Sequence, residues 1–112
     1  MSRSADERIA DILAAIDRCL TYRQFLDQTN DTQAAMAYDA VLRNLAVIGE
    51  AVRTLPAEFT ASMPNVPWAA IAGLRNVVIH EYFRVDSSLI IDIVDSQLAP
   101  LAAQLRRVPL SD

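Results

Sequence analysis

Four side chains with chemical potential lie within eight positions of this 112-residue sequence: Arg75, Asn76, His80 and Tyr82. Arginine carries a permanent cation whose donor fork matches phosphate oxygens, and histidine moves protons near neutral pH without a large pKa shift. An Arg and a His without a carboxylate cluster suit metal-free cleavage of a phosphodiester in RNA. In that reaction the 2′-hydroxyl of the substrate attacks, His80 moves a proton, and Arg75 stabilises charge on phosphorus.

A structural role is the alternative for the same residues, and their spacing alone favours it. His80 would then be a hydrogen-bonding group, and Arg75 would pair with Glu50 or Glu81. Tyr82 stands near a predicted helix end, where a phenol is accessible to modification, although most such tyrosines simply pack. Sequence spacing leaves both interpretations open.

Other kinds of site lack support in the sequence. His80 is the only histidine, and no second His or Cys stands at ligand spacing, so we predict no metal site and no cofactor. Neither a Gly-rich phosphate loop nor a Ser/His/Asp motif is present. The net charge of −4 argues against broad electrostatic binding to nucleic acid, but it permits a small basic site that engages one phosphate.

The helical positions of the four polar residues predict where the site lies. At about 100° per residue, Arg75 and Tyr82 are nearly eclipsed, and Asn76 and His80 stack on a neighbouring face. The set spans roughly 160° of the helix surface, which is too wide to bury in the core of one bundle. We therefore expect it to line a cleft made with a second copy of the chain.

Apolar residues at helical spacing predict an all-α, antiparallel four-helix bundle that forms a single domain over residues 1–112. The predicted helices cover residues 5–28, 32–54, 67 to 82 or 83, and 87 onward. Three prolines mark residues 55–67 as a connecting loop with at most one short turn. Pro67 suits the first turn of the third helix, where its missing N–H costs nothing.

Local signals sharpen these boundaries. Ser4 and Glu7 predict a capping box for the first helix, and Asp86 predicts an N-cap for the fourth. Pro100 should kink or split the fourth helix because it lacks a backbone donor. We assign Met36 to the apolar stripe of the second helix, together with Tyr38, Val41, Leu42, Leu45, Ile48 and Val52.

The composition adds predictions about assembly and compartment. Hydrophobic residues make up 53% of the chain and charged residues 21%, which predicts an apolar face and a homo-oligomer. Cys19 is the only cysteine, so we expect a buried thiol and a reducing, cytoplasmic setting. The sequence shows no signal peptide and no apolar run long enough to cross a membrane.

The segment from Arg75 to Tyr82, with the sequence RNVVIHEY, resembles the Arg-x4-His-x-Tyr motif of HepT-like toxins in the HEPN superfamily. The resemblance covers nearly the whole chain. The lead-in and exit of the motif are similar in Pro67-Trp68, Ile71-Ala72-Gly73-Leu74, His80-Glu81-Tyr82-Phe83 and Val85-Asp86. The second-helix signature is similar in Leu42-Arg43-Asn44-Leu45 and Ile48-Gly49-Glu50-Ala51.

This resemblance implies an all-α HEPN homodimer in which Arg75 and His80 of both copies meet in a cleft. It implies a metal-independent endoribonuclease acting on RNA, as the toxin of a toxin–antitoxin pair of type II or VII. The partner would be a nucleotidyltransferase-fold antitoxin that transfers AMP to Tyr82, and Asn76 would support Arg75 or His80. A negative adduct beside these residues would block entry of an RNA phosphate.

Two further points belong to the resemblance. Many relatives have a Trp early in the fourth helix, where this chain has Leu89-Ile90-Ile91, and this difference concerns packing of the dimer more than chemistry. The alternative function is a non-catalytic HEPN module that docks a nucleotidyltransferase and helps to bind nucleotide or substrate. A purely structural helical dimer is the third interpretation.

Overall fold

The computed structural model describes residues 4–27, 31–81 and 86–107. All regular elements in these ranges are helical, which confirms the predicted all-α class. In chain order they are α1 (Ala5–Tyr22), a 3₁₀ turn (Arg23–Phe25), α2 (Asp31–Arg53), α3 (Ala57–Ala61), α4 (Trp68–Ala72), α5 (Leu74–Glu81), α6 (Ser87–Ile93), a π turn (Val94–Leu98) and α7 (Ala99–Arg106). They form four helical segments, of which the third is α4 with α5 and the fourth runs from α6 to α7.

Helix α1 begins where the capping box predicts. The Ser4 hydroxyl accepts a hydrogen bond from the Glu7 amide at 3.2 Å, and the Glu7 carboxylate accepts one from the Ser4 amide at 3.1 Å. Two donors of the first turn are thereby satisfied. The helix ends earlier than the predicted residue 28, because its last turn tightens into the 3₁₀ turn after Tyr22.

The core lies mainly between α1 and α2, with the fourth segment packed against α1. Cys19 is fully buried there, as predicted, and burial raises the pKa of its thiol to about 12. The assignment of Met36 to the apolar stripe of α2 is wrong, since the other six members of that stripe are buried and the Met36 side chain is 67% exposed. Met36 lies about 200° around the helix from the buried Tyr38, so the two cannot share one face.

The third segment is interrupted where a continuous helix is predicted. Helix α4 ends at Ala72, and α5 begins at Leu74 after Gly73, a residue with low helix propensity. The preceding loop contains the short helix α3. Trp68 fastens this loop to α4, because its indole N–H donates to the carbonyl oxygens of Thr60 and Met63, both at 3.0 Å.

The fourth segment shows both predicted local features. The Asp86 carboxylate caps α6 by accepting a hydrogen bond from the Leu89 amide at 3.2 Å. Pro100 occupies the first turn of α7, where its missing N–H is tolerated. The turn immediately before α7 is the π turn. The fourth segment therefore changes its helix type between α6 and α7, while every residue from 87 to 106 remains helical.

Within the part of the chain that the structure describes, no helix is long and apolar enough to cross a membrane.

Candidate active site

Helix α5 carries three of the four predicted site residues on its open side. Arg75, Asn76 and His80 are all exposed, and so is Ile79 between them at 59%. Leu74 is buried, and Val77 and Val78 are partly buried against the core. The exposed residues span about 140° of the helix surface at 100° per residue. The polar residues therefore lie outside the core of this bundle, as their wide arc predicts.

Tyr82 lies outside the residues that the structure describes. Its predicted role as the modified residue stays a prediction. Helix α5 is described as far as Glu81, the residue before Tyr82 in the sequence.

Helix α2 sets the position of Arg75 through a close contact at Gly49. A Cβ atom built on Gly49 would lie 3.1 Å from the backbone nitrogen of Arg75 and 3.2 Å from the carbonyl oxygen of Ala72. Both neighbours are backbone atoms, so they can yield only if a helix moves. The glycine lets α2 approach the junction of α4 and α5 directly.

The residue after Gly49 also contacts the site. Arg75 Nη1 lies 3.7 Å from Glu50 Oε2, and both side chains are more than half exposed. An ion pair this exposed contributes little to stability. Its distance exceeds that of a good charge-assisted hydrogen bond, so the guanidinium keeps donors available for another partner. This pairing with Glu50 is the one expected if Arg75 has a structural role. It nevertheless leaves hydrogen-bond donors of the guanidinium available to another partner.

A groove extends from Arg75 along the exposed side of α2. It has a volume of about 600 Å³, and Arg8, Arg43 and Arg75 all line it together with Glu50. The sequence places Arg43 and Glu50 in the second-helix signature and suggests Glu50 only as a structural partner of Arg75. It gives no such signal for Arg8. These residues come together only because α1, α2 and α5 pack around the groove.

The neighbouring Asn44 is a structural residue. It is the buried polar residue of α2, only 3% exposed. Its amide nitrogen donates to the Ala40 carbonyl at 2.8 Å, and its amide oxygen accepts a long hydrogen bond of 3.5 Å from Arg18. Both ends of the amide are satisfied inside the protein, as a buried polar group requires.

Among the described residues, no group of three or more His, Cys, Asp or Glu side chains is arranged to hold a metal ion.

Comparisons with known proteins agree with the motif. A family model described as "Ribonuclease HepT-like" matches residues 12–108. A Methanocaldococcus jannaschii protein named "Putative RNase" is 34% identical over 98 residues, covering 88% of this chain and 90% of the relative. "Probable ribonuclease HepT" of Thermococcus cleftensis is 30% identical over 111 residues, covering 96% and 98% of the two chains.

Other relatives are matched over a smaller share of their length. A Caldanaerobacter subterraneus protein, also named "Putative RNase", is 41% identical over 69 residues, and the match covers 62% of each chain. No solved structure matches the chain. The family model covers most of the sequence, and two relatives match over nine-tenths or more of their length. The chain therefore belongs to the HepT-like ribonuclease family.

Proposed function

We propose that this protein is a metal-independent endoribonuclease whose active site is built on α5. The observation that carries the proposal is the exposed row of Arg75, Asn76 and His80 in a chain of the HepT-like ribonuclease family. These residues supply a cation for phosphate, an amide for orientation and a group that transfers protons. They are accessible to a polymer without any rearrangement of the described core.

The reaction follows from these groups and from the 2′-hydroxyl of RNA. The 2′-oxygen forms a bond to phosphorus while the bond from phosphorus to the 5′-oxygen breaks, which leaves a 2′,3′-cyclic phosphate and a 5′-hydroxyl. A base must accept the proton of the 2′-hydroxyl, and an acid must protonate the leaving 5′-oxygen. His80 serves this proton transfer, Arg75 stabilises the extra charge on phosphorus, and Asn76 orients one of them.

A homodimer would supply both an acid and a base. Each chain contains one histidine, so a cleft formed by two copies would bring two His80 side chains to the same phosphate. Ile79 supports this assembly, because a large apolar side chain that is 59% exposed between Arg75 and His80 gains from being covered. The cleft would therefore form where the two α5 helices face each other.

The biological setting that we propose is a toxin–antitoxin pair. The toxin would be neutralised by a nucleotidyltransferase-fold antitoxin that transfers AMP to Tyr82. The proposal rests on the resemblance of the Arg75-to-Tyr82 segment to the motif of HepT-like toxins. Tyr82 is two residues from His80, so an adduct with a phosphate would add negative charge where the substrate phosphate must enter.

The decisive test is cleavage of RNA by the protein purified without a partner. We expect cellular RNA to be cut in the presence of a chelator, with 2′,3′-cyclic phosphate ends, and His80→Ala to lose this activity by about 10²-fold or more. Equal cleavage by His80→Ala and the unaltered protein would refute the assignment of His80. Absence of cleavage, combined with binding to a nucleotidyltransferase, would favour the non-catalytic docking module instead.

A further inference from the structure

We infer that the groove on α2 binds the RNA strand beside the phosphate that is cleaved. Arg8, Arg43 and Arg75 line the groove, and Val47 and Ala51 lie between them. Its volume of about 600 Å³ falls in the range of cavities that hold small organic ligands, which accommodates one or two nucleotides of a strand. The inference rests on the ribonuclease function proposed above and identifies where the substrate is held.

The charge of the groove is opposite to that of the protein. Its lining contains three arginines and one carboxylate, Glu50, so three positive charges minus one negative charge leave a net charge of +2. The whole chain has a net charge of −4. A polyanion approaching this protein is therefore attracted at the groove and repelled by the surface as a whole.

Arg43 is the residue on which the inference depends most. It forms no hydrogen bond or ion pair with any residue in the described ranges, and its side chain is exposed on α2. Arg8 donates a hydrogen bond to the hydroxyl of Thr54 at 2.6 Å. The hydroxyl is neutral, so this contact does not balance the positive charge of Arg8. Two cations beside Arg75 thus have the donors and the charge to bind phosphates.

The apolar part of the groove suits a single strand. Val47 and Ala51 are partly buried, and both pack against the core while lining the groove. Small apolar side chains of this kind allow a ribose or a base face to approach closely while the phosphates lie over the arginines. A second copy of the chain fits the groove less well than it fits the Ile79 side of α5, because a symmetric contact centred on Arg8 and Arg43 would bring two clusters of positive charge together.

Arg75 joins the groove to the active site. It lies on the same exposed arc of α5 as His80, about 140° away around the helix, and it also forms part of the groove wall. A strand whose scissile phosphate is held at Arg75 can therefore place a neighbouring phosphate at Arg43 and the next one towards Arg8. This arrangement explains how an acidic protein binds RNA outside its catalytic cleft.

The test measures binding of a strand that cannot be cleaved. A fluorescent 2′-O-methyl oligonucleotide of about eight residues lacks the attacking hydroxyl, so its anisotropy reports binding alone. We expect Arg43→Gln to weaken binding about fivefold and to reduce the dependence of log K on log salt by about 0.7. Arg53→Gln is the matched control, because Arg53 is an exposed arginine of the same helix that does not line the groove.

Several results would overturn the inference. Equal binding by Arg43→Gln and the unaltered protein, or an equal loss in Arg53→Gln, would show that the groove is not the site. A change in sedimentation coefficient of Arg43→Gln without RNA would assign this face to a contact between copies. Displacement of the strand by AMP at equal affinity would assign it to a free nucleotide. Arg43-dependent binding without cleavage of unmodified RNA would support the groove while refuting the proposed catalysis.

Discussion

Arg23 and Arg75 each reach a carboxylate on another helical segment, and they do so differently. Arg23 donates to both oxygens of Asp95, from Nε at 3.0 Å and from Nη2 at 2.9 Å, and it also contacts Asp27 at 3.4 Å. Arg75 has a single contact of 3.7 Å with Glu50. The Arg23 side chain is 32% exposed, whereas that of Arg75 is 53% exposed.

The difference separates an arginine used for structure from one available for chemistry. The two parallel hydrogen bonds to Asp95 satisfy the guanidinium of Arg23 and tie the 3₁₀ turn after α1 to the π turn of the fourth segment. The loose contact of Arg75 leaves its donors free to exchange Glu50 for a phosphate. Helical spacing alone does not predict how tightly either arginine is held, because Asp95 and Glu50 both come from distant parts of the chain.

Substitution of each arginine by glutamine tests this comparison most strongly. We expect Arg75→Gln to reduce RNA cleavage by about 100-fold, because one donor to the charged transition state is lost. Its melting temperature should remain unchanged, since the exposed contact with Glu50 contributes little to stability. Cleavage rates and thermal unfolding of the same preparations measure both effects.

Arg23→Gln is the matched control and should show the reverse pattern. We expect full cleavage activity and a melting temperature lower by about 2 °C, because a two-point contact between segments is lost. If Arg23→Gln lost as much activity as Arg75→Gln, or if Arg75→Gln unfolded at a much lower temperature, the division between the two arginines would be wrong.

Gly49→Ala should disturb the position of Arg75 without altering its side chain. The new methyl group would lie 3.1 Å from the Arg75 backbone nitrogen, so α2 and α5 must separate by a few tenths of an ångström. We expect a loss of about 1 kcal/mol in the free energy of unfolding, after the better helix propensity of alanine is counted. Cleavage should fall about tenfold through kcat, because the phosphate-binding group is displaced.

Gly73→Ala is the control for this prediction. A Cβ atom at Gly73 would meet its nearest neighbours at 3.4 Å, and its φ of −70° is accessible to alanine. The substitution should therefore leave cleavage unchanged. Equal effects at the two glycines would indicate general destabilisation of the third segment rather than a specific contact with Arg75.

The sequence predicted the features that depend on neighbours along the chain. The capping box at Ser4 and Glu7 and the N-cap at Asp86 are contacts over three residues, and the structure confirms both. The disturbance around Pro100 is local as well, since it follows from one missing donor. The helical period also predicts that Arg75 and His80 lie on an arc too wide to bury, and both are exposed in the structure. Their catalytic interpretation, however, comes from the family resemblance, since spacing alone favours a structural role.

The sequence could not predict features that depend on packing between segments. Arg8 hydrogen-bonds Thr54 across 46 residues and reaches the groove only because α1 lies along α2. The close approach of Gly49 to the backbone of Ala72 and Arg75, on either side of the interruption at Gly73, also depends on packing that periodicity does not encode. Met36 is different, because its helical angle, about 200° from that of Tyr38, already places it off the buried face whatever its residue type.

Glu50→Gln sharpens the comparison by removing the anion that Arg75 now contacts. Glu50 lines the groove, so its charge opposes an incoming phosphate. We expect KM for RNA to fall about threefold, with kcat and the melting temperature nearly unchanged. Steady-state kinetics on a defined RNA strand would measure this. A fall of tenfold or more in kcat would instead identify Glu50 as a residue that positions Arg75.

The smallest expected effect is the dependence of stability on pH at the Arg23–Asp95 contact. The hydrogen bond from Arg23, followed by its charge, lowers the pKa of Asp95 below the ordinary carboxyl value of 3.8. A lowered folded-state pKa stabilises the fold above the unfolded-state pKa, and this contribution is lost as the pH falls through the folded value. Asp95→Asn should therefore unfold at a slightly lower urea concentration than the unaltered protein at pH 6, and the difference should shrink below pH 4.

In an Arg23→Gln background the same substitution should have no effect, because the partner is already gone. A pH-independent difference, or one that persists without Arg23, would show that Asp95 stabilises the π turn by another contact and that the two arginines differ less than their geometry indicates.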